Sequence, residues 1–226
     1  MGRALQAFCV VLLLAAGPAR AQELYAGLRA DAQGQSFSYL GGSVELEAPG
    51  GLRPLLKAMV SHQRYEYLGT GRRIQARAQA LKLLAGLKGT PREGYYAVSA
   101  GVEFRSTSLS PPEPGAEVQG GQTGLVLELQ GGTALGPYWA DAMASYQSLG
   151  QGFWAMASLK RRVGQLLALG LAVELGASAE YALFRTGGLA ELSIAPGASL
   201  GLQAGWGFNQ DVPDAPYMGL SLYRRF

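Results

Sequence analysis

Residues 167–176 read LALGLAVELG. Leu167, Leu169, Leu171, Val173 and Leu175 fall on one parity, and Ala168, Gly170, Ala172, Glu174 and Gly176 on the other. Only a strand sends alternate residues to opposite faces. One face is unbroken aliphatic surface. The other is small or charged.

The same division returns along the chain. Leu200, Leu202, Ala204, Trp206 and Phe208 oppose Ser199, Gly201, Gln203, Gly205 and Gly207. Tyr96, Val98, Ala100, Val102 and Phe104 oppose Ala97, Ser99, Gly101, Glu103 and Arg105. Leu125, Leu127 and Leu129 oppose Gly124, Val126, Glu128 and Gln130, and Val44 and Leu46 oppose Ser43, Glu45 and Glu47. A soluble sandwich turns such apolar faces inward, whereas a membrane barrel turns them to lipid and the polar faces to its lumen. Period alone does not choose between the two.

The N-terminus and the strand number do. Arg3, the ten apolar residues 7–16, the Gly17-Pro18 break and Ala19-Arg20-Ala21 read as a cleaved signal peptide over residues 1–21. The only cysteine, Cys9, leaves with it, as do Arg3 and Arg20, so the 19 basic residues become 17 against 16 acidic. A near-neutral chain without thiols gives no reason to expect nucleic acid, a disulfide or thiol chemistry. No apolar run reaches the roughly 18–20 residues of a spanning helix, so any membrane crossing by residues 22–226 must use strands. The 33 glycines are about twice the usual share and disfavour long helices.

Strands are expected over 23–33, 36–48, 53–67, 72–87, 93–108, 119–132, 137–148, 152–163, 166–179, 184–195, 198–209 and 217–226. Twelve is an even number, as bacterial single-chain barrels have. The fold class is therefore an all-β, antiparallel transmembrane barrel in the bacterial outer membrane. With periplasmic termini, the odd connections face outside and should be the longer ones. The proline-rich stretch 109–121 is the fifth connection, 178–188 holds the ninth and 209–216 the eleventh. Phe226, after the alternating Met218, Leu220 and Leu222, reads as a signal for the outer-membrane assembly machinery.

Strand 3 is less regular: His62, Arg64 and Glu66 continue the parity of Leu56, Ala58 and Val60. A bulge or a shift of strand register near Ser61 would reconcile the two halves. The expected lumen then carries Arg29, Glu45, Arg64, Glu66, Arg77, Glu103, Arg105, Glu128, Asp141, Glu174 and Glu191, joined by Asp31, Glu47, Lys160 and Arg162. The mixed signs suit cross-lumen pairing better than a pore with a one-signed stripe. Tyr65, Tyr67, Tyr138, Trp139, Trp206, Tyr217 and Phe226 are expected as interfacial aromatics. Glucan stacking on such rings is the weaker reading.

Chemistry is sparse. His62 is the single histidine, and Ser61 next to it points to the other face, leaving a cross-strand partner such as Ser99 as the remaining hydrolase arrangement. The set of titratable residues gives no N/S metal cluster and no expected cofactor. A calcium site at Asp211 and Asp214 would rest on two loop acids that are ordinarily just solvated.

Several stretches stand out together: Leu24-Tyr25-Ala26-Gly27 with Asp31, Phe37-Ser38-Tyr39-Leu40-Gly41, and Arg64-Tyr65-Glu66-Tyr67. To these add the loop Leu109-Ser110-Pro111-Pro112-Glu113-Pro114 with Gly120 and Gly124, and the segment 170–188 with Glu174, Gly176, Tyr181 and Arg185. They resemble the cellulose biosynthesis protein BcsS family, whose loop is more acidic than this one. The resemblance implies a non-enzymatic outer-membrane barrel that supports bacterial cellulose or exopolysaccharide biosynthesis, export or surface attachment. Its partners would be outer-membrane lipid, glucan and cellulose-synthesis components. The alternative is a small diffusion channel for saccharides or other solutes.

Overall fold

The computed structural model describes residues 19–69, 71–113, 116, 119–179, 182–210 and 212–226. Most of the expected signal peptide, Tyr181 and Asp211 lie outside the described residues. The chain forms β1 (Ala19–Asp31), β2 (Ser36–Leu46), β3 (Leu52–Leu68), β4 (Arg73–Gly89), β5 (Gly94–Ser110) and β6 (Gly120–Leu135). These are followed by β7 (Tyr138–Gln147), β8 (Gly152–Val163), β9 (Leu167–Ala177), β10 (Ala182–Ala195), β11 (Ala198–Asn209) and β12 (Ala215–Arg225). Each strand pairs with its chain neighbours, and β1 pairs β12 antiparallel from Glu23↔Arg225 to Asp31↔Tyr217. The sheet is a closed twelve-strand barrel, which leaves no unpaired edge.

Alternation sorts the wall. Leu125, Leu171 and Met218 face outward and are 68–70% exposed, within a belt of exposed Leu, Val and Phe side chains. Such a surface suits lipid and not water. Connections 47–51, 90–93, 136–137, 164–166 and 196–197 lie at the end of the barrel that carries both chain termini. The connection 111–119 lies at the opposite end and is the longest.

No bulge interrupts β3. Its register with β2 runs unbroken from Glu45↔Leu55 to Ser36↔Arg64, and its register with β4 from Leu52↔Gly89 to Leu68↔Arg73. The reversal of polarity has another cause. β3, β4 and β5 have 17 residues each, against 10 in β7, whereas a tilted span needs about 9–11. These three strands run on past the apolar belt, and there the faces exchange character without changing parity. Tyr65, Tyr67, Ile74, Ala76 and Leu109 pack together inside, with Ala116 of the connecting loop against them. His62, Arg64, Glu66, Gln75 and Arg77 turn outward. Beyond the hydrocarbon, the wall obeys the rule of a soluble protein: apolar side chains inside, polar ones outside.

Candidate functional site

The lumen is built from two unlike walls. On β9 to β12 the inner parity holds mostly small residues, among them Gly170, Ala172, Gly187, Gly205 and Gly219. On β1 to β6 it holds long ones: Glu23, Arg29, Glu45, Lys57, Lys82, Lys88, Glu103, Arg105 and Glu128. Tyr25 and Tyr39 fill the inner face reciprocally. Each sits opposite a glycine on the facing strand (Tyr25↔Gly41, Gly27↔Tyr39), and a Cβ at Gly41 would stand 2.2 Å from the Tyr25 ring.

Charges cross this interior in fixed pairs. The Glu174 carboxylate accepts from Trp154 Nε1 at 2.7 Å and from the Arg29 guanidinium. Arg185 lies 3.9 Å from the same carboxylate and 3.3 Å from Asp31 Oδ2, with its guanidinium 5.5 Å from the centre of the Tyr217 ring. Arg29 also donates to Gln203, whose amide donates to Tyr217 at 2.9 Å. One network thus joins β1 and β8 through β12.

Two further pairings tie β3 to β6 and β5 to β7. Lys57 donates to Glu128 at 2.5 Å and to Gln130 at 3.1 Å. Arg105 donates to Glu103 at 2.8 Å and to Gln147 at 2.5 Å. Near the termini, Lys88 bridges Glu23 (2.8 Å) and Glu45 (2.6 Å), and Arg53 donates to Glu45 at 3.0 Å. Lys160 lies between Asp141 (3.0 Å) and Glu191 (2.8 Å), and Trp139 Nε1 donates to Asp141 at 2.7 Å.

Burial decides what these charges can do. Glu45 and Glu103 are 0% and 1% exposed, and Lys57, Lys82, Lys88, Glu128, Glu174 and Arg185 are all buried. Residues lining a water-filled channel keep their contact with water. These side chains are sealed against one another. The corner of Asp141, Lys160 and Glu191 is more open, and Arg29, Arg53 and Arg105 keep part of their surface exposed as well.

Of the residues expected in the lumen, Arg29, Glu45, Glu103, Arg105, Glu128, Asp141, Glu174 and Glu191 face it. Arg64, Glu66 and Arg77 do not. They share the outward parity of Leu56 and Leu81 and stand beyond the belt. Their charge suggested an interior place, but the strands simply outlast the membrane. The expected interfacial aromatics divide as well. Tyr138, Trp206 and Phe226 are exposed on the outside. Tyr65, Tyr67, Trp139 and Tyr217 turn inward instead, where the hydroxyl or indole N–H of each of Tyr67, Trp139 and Tyr217 finds a polar partner. An aromatic at a strand end fits either side, and only parity distinguishes them.

Lys57, Lys82, Lys88, Arg185 and Trp154 belong to the lumen but escaped sequence reading. Lys57 was within reach, since it opposes Leu56 and Ala58 in parity. Lys82 and Lys88 share parity with Ile74, Ala76 and Ala78, which points to the wrong face unless the strand is known to leave the membrane. His62 is exposed on the outer face, whereas Ser99 is buried on the inner one. The wall separates them, so they form no catalytic pair.

The family model described as cellulose biosynthesis protein BcsS matches residues 19–226. No curated protein matches the sequence. Similar solved structures include an outer membrane channel from Pseudomonas putida F1 (TM-score 0.54, 12% identity, covering 93% of this chain and 96% of that one). The translocator domain of the autotransporter NalP from Neisseria meningitidis is also similar (TM-score 0.53, 13% identity, 98% and 94% covered). A third is the CymD monoaromatic hydrocarbon channel (TM-score 0.52, 10% identity, 94% and 90% covered). At these identities the likeness concerns the fold, that of outer-membrane β-barrels.

Proposed function

This chain belongs to the cellulose biosynthesis protein BcsS family, and from that membership we propose a non-enzymatic barrel that supports cellulose at the cell surface without conducting it. In this reading residues 1–21 are removed on secretion and the barrel is inserted into the outer membrane with both termini in the periplasm. The observation that carries the proposal is the packed lumen. Buried pairs such as Lys57–Glu128 and Lys88–Glu45 cross the interior, where a glucan chain would have to separate them. A buried pair is also poor at exchanging partners with a passing solute, because separating it strands a charge in low dielectric.

The parts offered to extracellular polymer are then the long β3–β5 extension and the start of the loop that follows it, where Tyr67 donates to Glu113 (2.7 Å) and Arg72 donates to the Pro112 carbonyl (2.8 Å). The part-exposed corner of Asp141, Lys160 and Glu191 is a feature that favours the second reading, a narrow channel for saccharides.

The test is cellulose in a clean deletion strain with a complemented control, divided into cell-retained, released and total polymer. The expected result is normal total synthesis with polymer no longer retained at the surface. Unchanged retention would overturn the proposal.

A further inference from the structure

The outer face of the β2–β5 extension presents an arrangement that the cellulose role does not use. Arg64 of β3 and Arg77 of β4 stand directly opposite each other in the ladder. Ser36 flanks Arg64 on β2, and Ser108 flanks Arg77 on β5. Like charges directly opposite on one face of a sheet are destabilising. Neither guanidinium has a carboxylate ion pair among the described residues. Arg77 donates to Gln75 at 3.2 Å. Glu66, one row farther out, accepts from that same Gln75 at 3.3 Å instead of pairing with either arginine.

Height fixes what could relieve this repulsion. The last apolar row across these strands is Leu40–Val60–Leu81–Phe104. The arginine row is four residues beyond it on β3. That is roughly 13 Å along the strand, or about 10 Å above the apolar belt at ordinary barrel tilt. The headgroup layer is about 5–8 Å thick on each side of a bilayer, and a long arginine side chain reaches back into it. Guanidinium groups bind phosphate oxygens with paired, directed hydrogen bonds, and the Ser36 hydroxyl at one end of the row adds a donor, while the Ser108 hydroxyl at the other donates to the Arg77 carbonyl at 3.5 Å.

We propose that Arg64 and Arg77, flanked by Ser36 and Ser108, clamp the phosphate monoester of an outer-leaflet glycolipid headgroup, whose double charge the single-charged diester of phosphatidylcholine does not replace. The site anchors the extension to the membrane surface and neutralises the paired cations. It rests on the reading that this end of the barrel is the outer one. It does not depend on any part in cellulose retention.

The experiment places the full mature barrel in phosphatidylcholine nanodiscs, with or without diphosphorylated lipid A, and reads the thermal midpoint from gel mobility. Diphosphorylated lipid A is expected to raise the midpoint by several degrees for the natural protein and for Arg161→Gln, a control on the outer face of β8. It should give no rise for the Arg64→Gln/Arg77→Gln variant and a partial rise for Arg64→Lys/Arg77→Lys. In phosphatidylcholine alone the double Gln variant should melt no lower than the natural protein, because it lacks the repulsion. An equal rise with dephosphorylated lipid A, or with the double Gln variant, would overturn the proposal. So would the same rise with millimolar inorganic phosphate, which would indicate a free-anion site. If the natural barrel inserts into neither lipid, the membrane reading itself fails, and the clamp with it.

Discussion

Glu174→Ala is expected to destabilise the barrel by about 3–5 kcal/mol, the usual result of removing one member of a buried charge pair. Glu174 is the meeting point of Arg29, Arg185 and the Trp154 indole. Truncation leaves two cations in a buried interior, of which only Arg185 keeps another carboxylate, Asp31. The loss comes from those stranded groups and not from a large net strength of the pairs, since a buried ion pair barely outweighs its desolvation. Glu174→Gln keeps an acceptor for Trp154 and should lose distinctly less. Urea unfolding of the reconstituted barrel, followed by tryptophan emission, measures both. A loss below about 1 kcal/mol for the alanine variant would place Glu174 in contact with water and contradict the sealed lumen.

Gly205→Val is expected to exceed the 1–3 kcal/mol typical of overpacking and to prevent closure of the β10–β11 seam. Gly205 stands opposite Gly187. A Cβ on it would lie 2.1 Å from the Thr186 carbonyl oxygen and 2.5 Å from the Gly187 Cα. Both are backbone atoms, so relief requires the strands themselves to part. Gly41→Val is the informative comparison, because its added carbon meets the Tyr25 ring, a side chain that can turn. The fraction of folded barrel recovered after refolding into detergent should fall steeply for Gly205→Val and moderately for Gly41→Val. Equal recovery would mean that the inner wall of β10 and β11 is not held as closely as described.

How much of this was legible in the sequence depends on which force wrote each feature. The belt was clear, because Leu167 to Leu175 and Leu200 to Phe208 meet one requirement, lipid contact, at every second residue. The strand number and the long fifth connection follow from the same rhythm. The inner wall was harder. Glu45, Glu103 and Glu128 betray themselves by alternating with aliphatic residues, but nothing local tells Lys57 that its partner is Glu128, three strands away around the ring. The extension of β3 to β5 misled for a physical reason. The sequence pattern at His62, Arg64 and Glu66 looks like a register slip, since polarity reverses at constant parity. In the folded barrel the register is continuous and the solvent changes instead. Tyr65 and Tyr67 were misplaced by the same reversal.

The central claim is that buried, paired charges fill the lumen, and single-channel recording in planar bilayers tests it most directly. The purified barrel, inserted in 1 M KCl, is expected to leave the membrane electrically silent apart from insertion noise. Uniform, long-lived conductance steps that soluble saccharides block would contradict the packed lumen and establish the barrel as a channel.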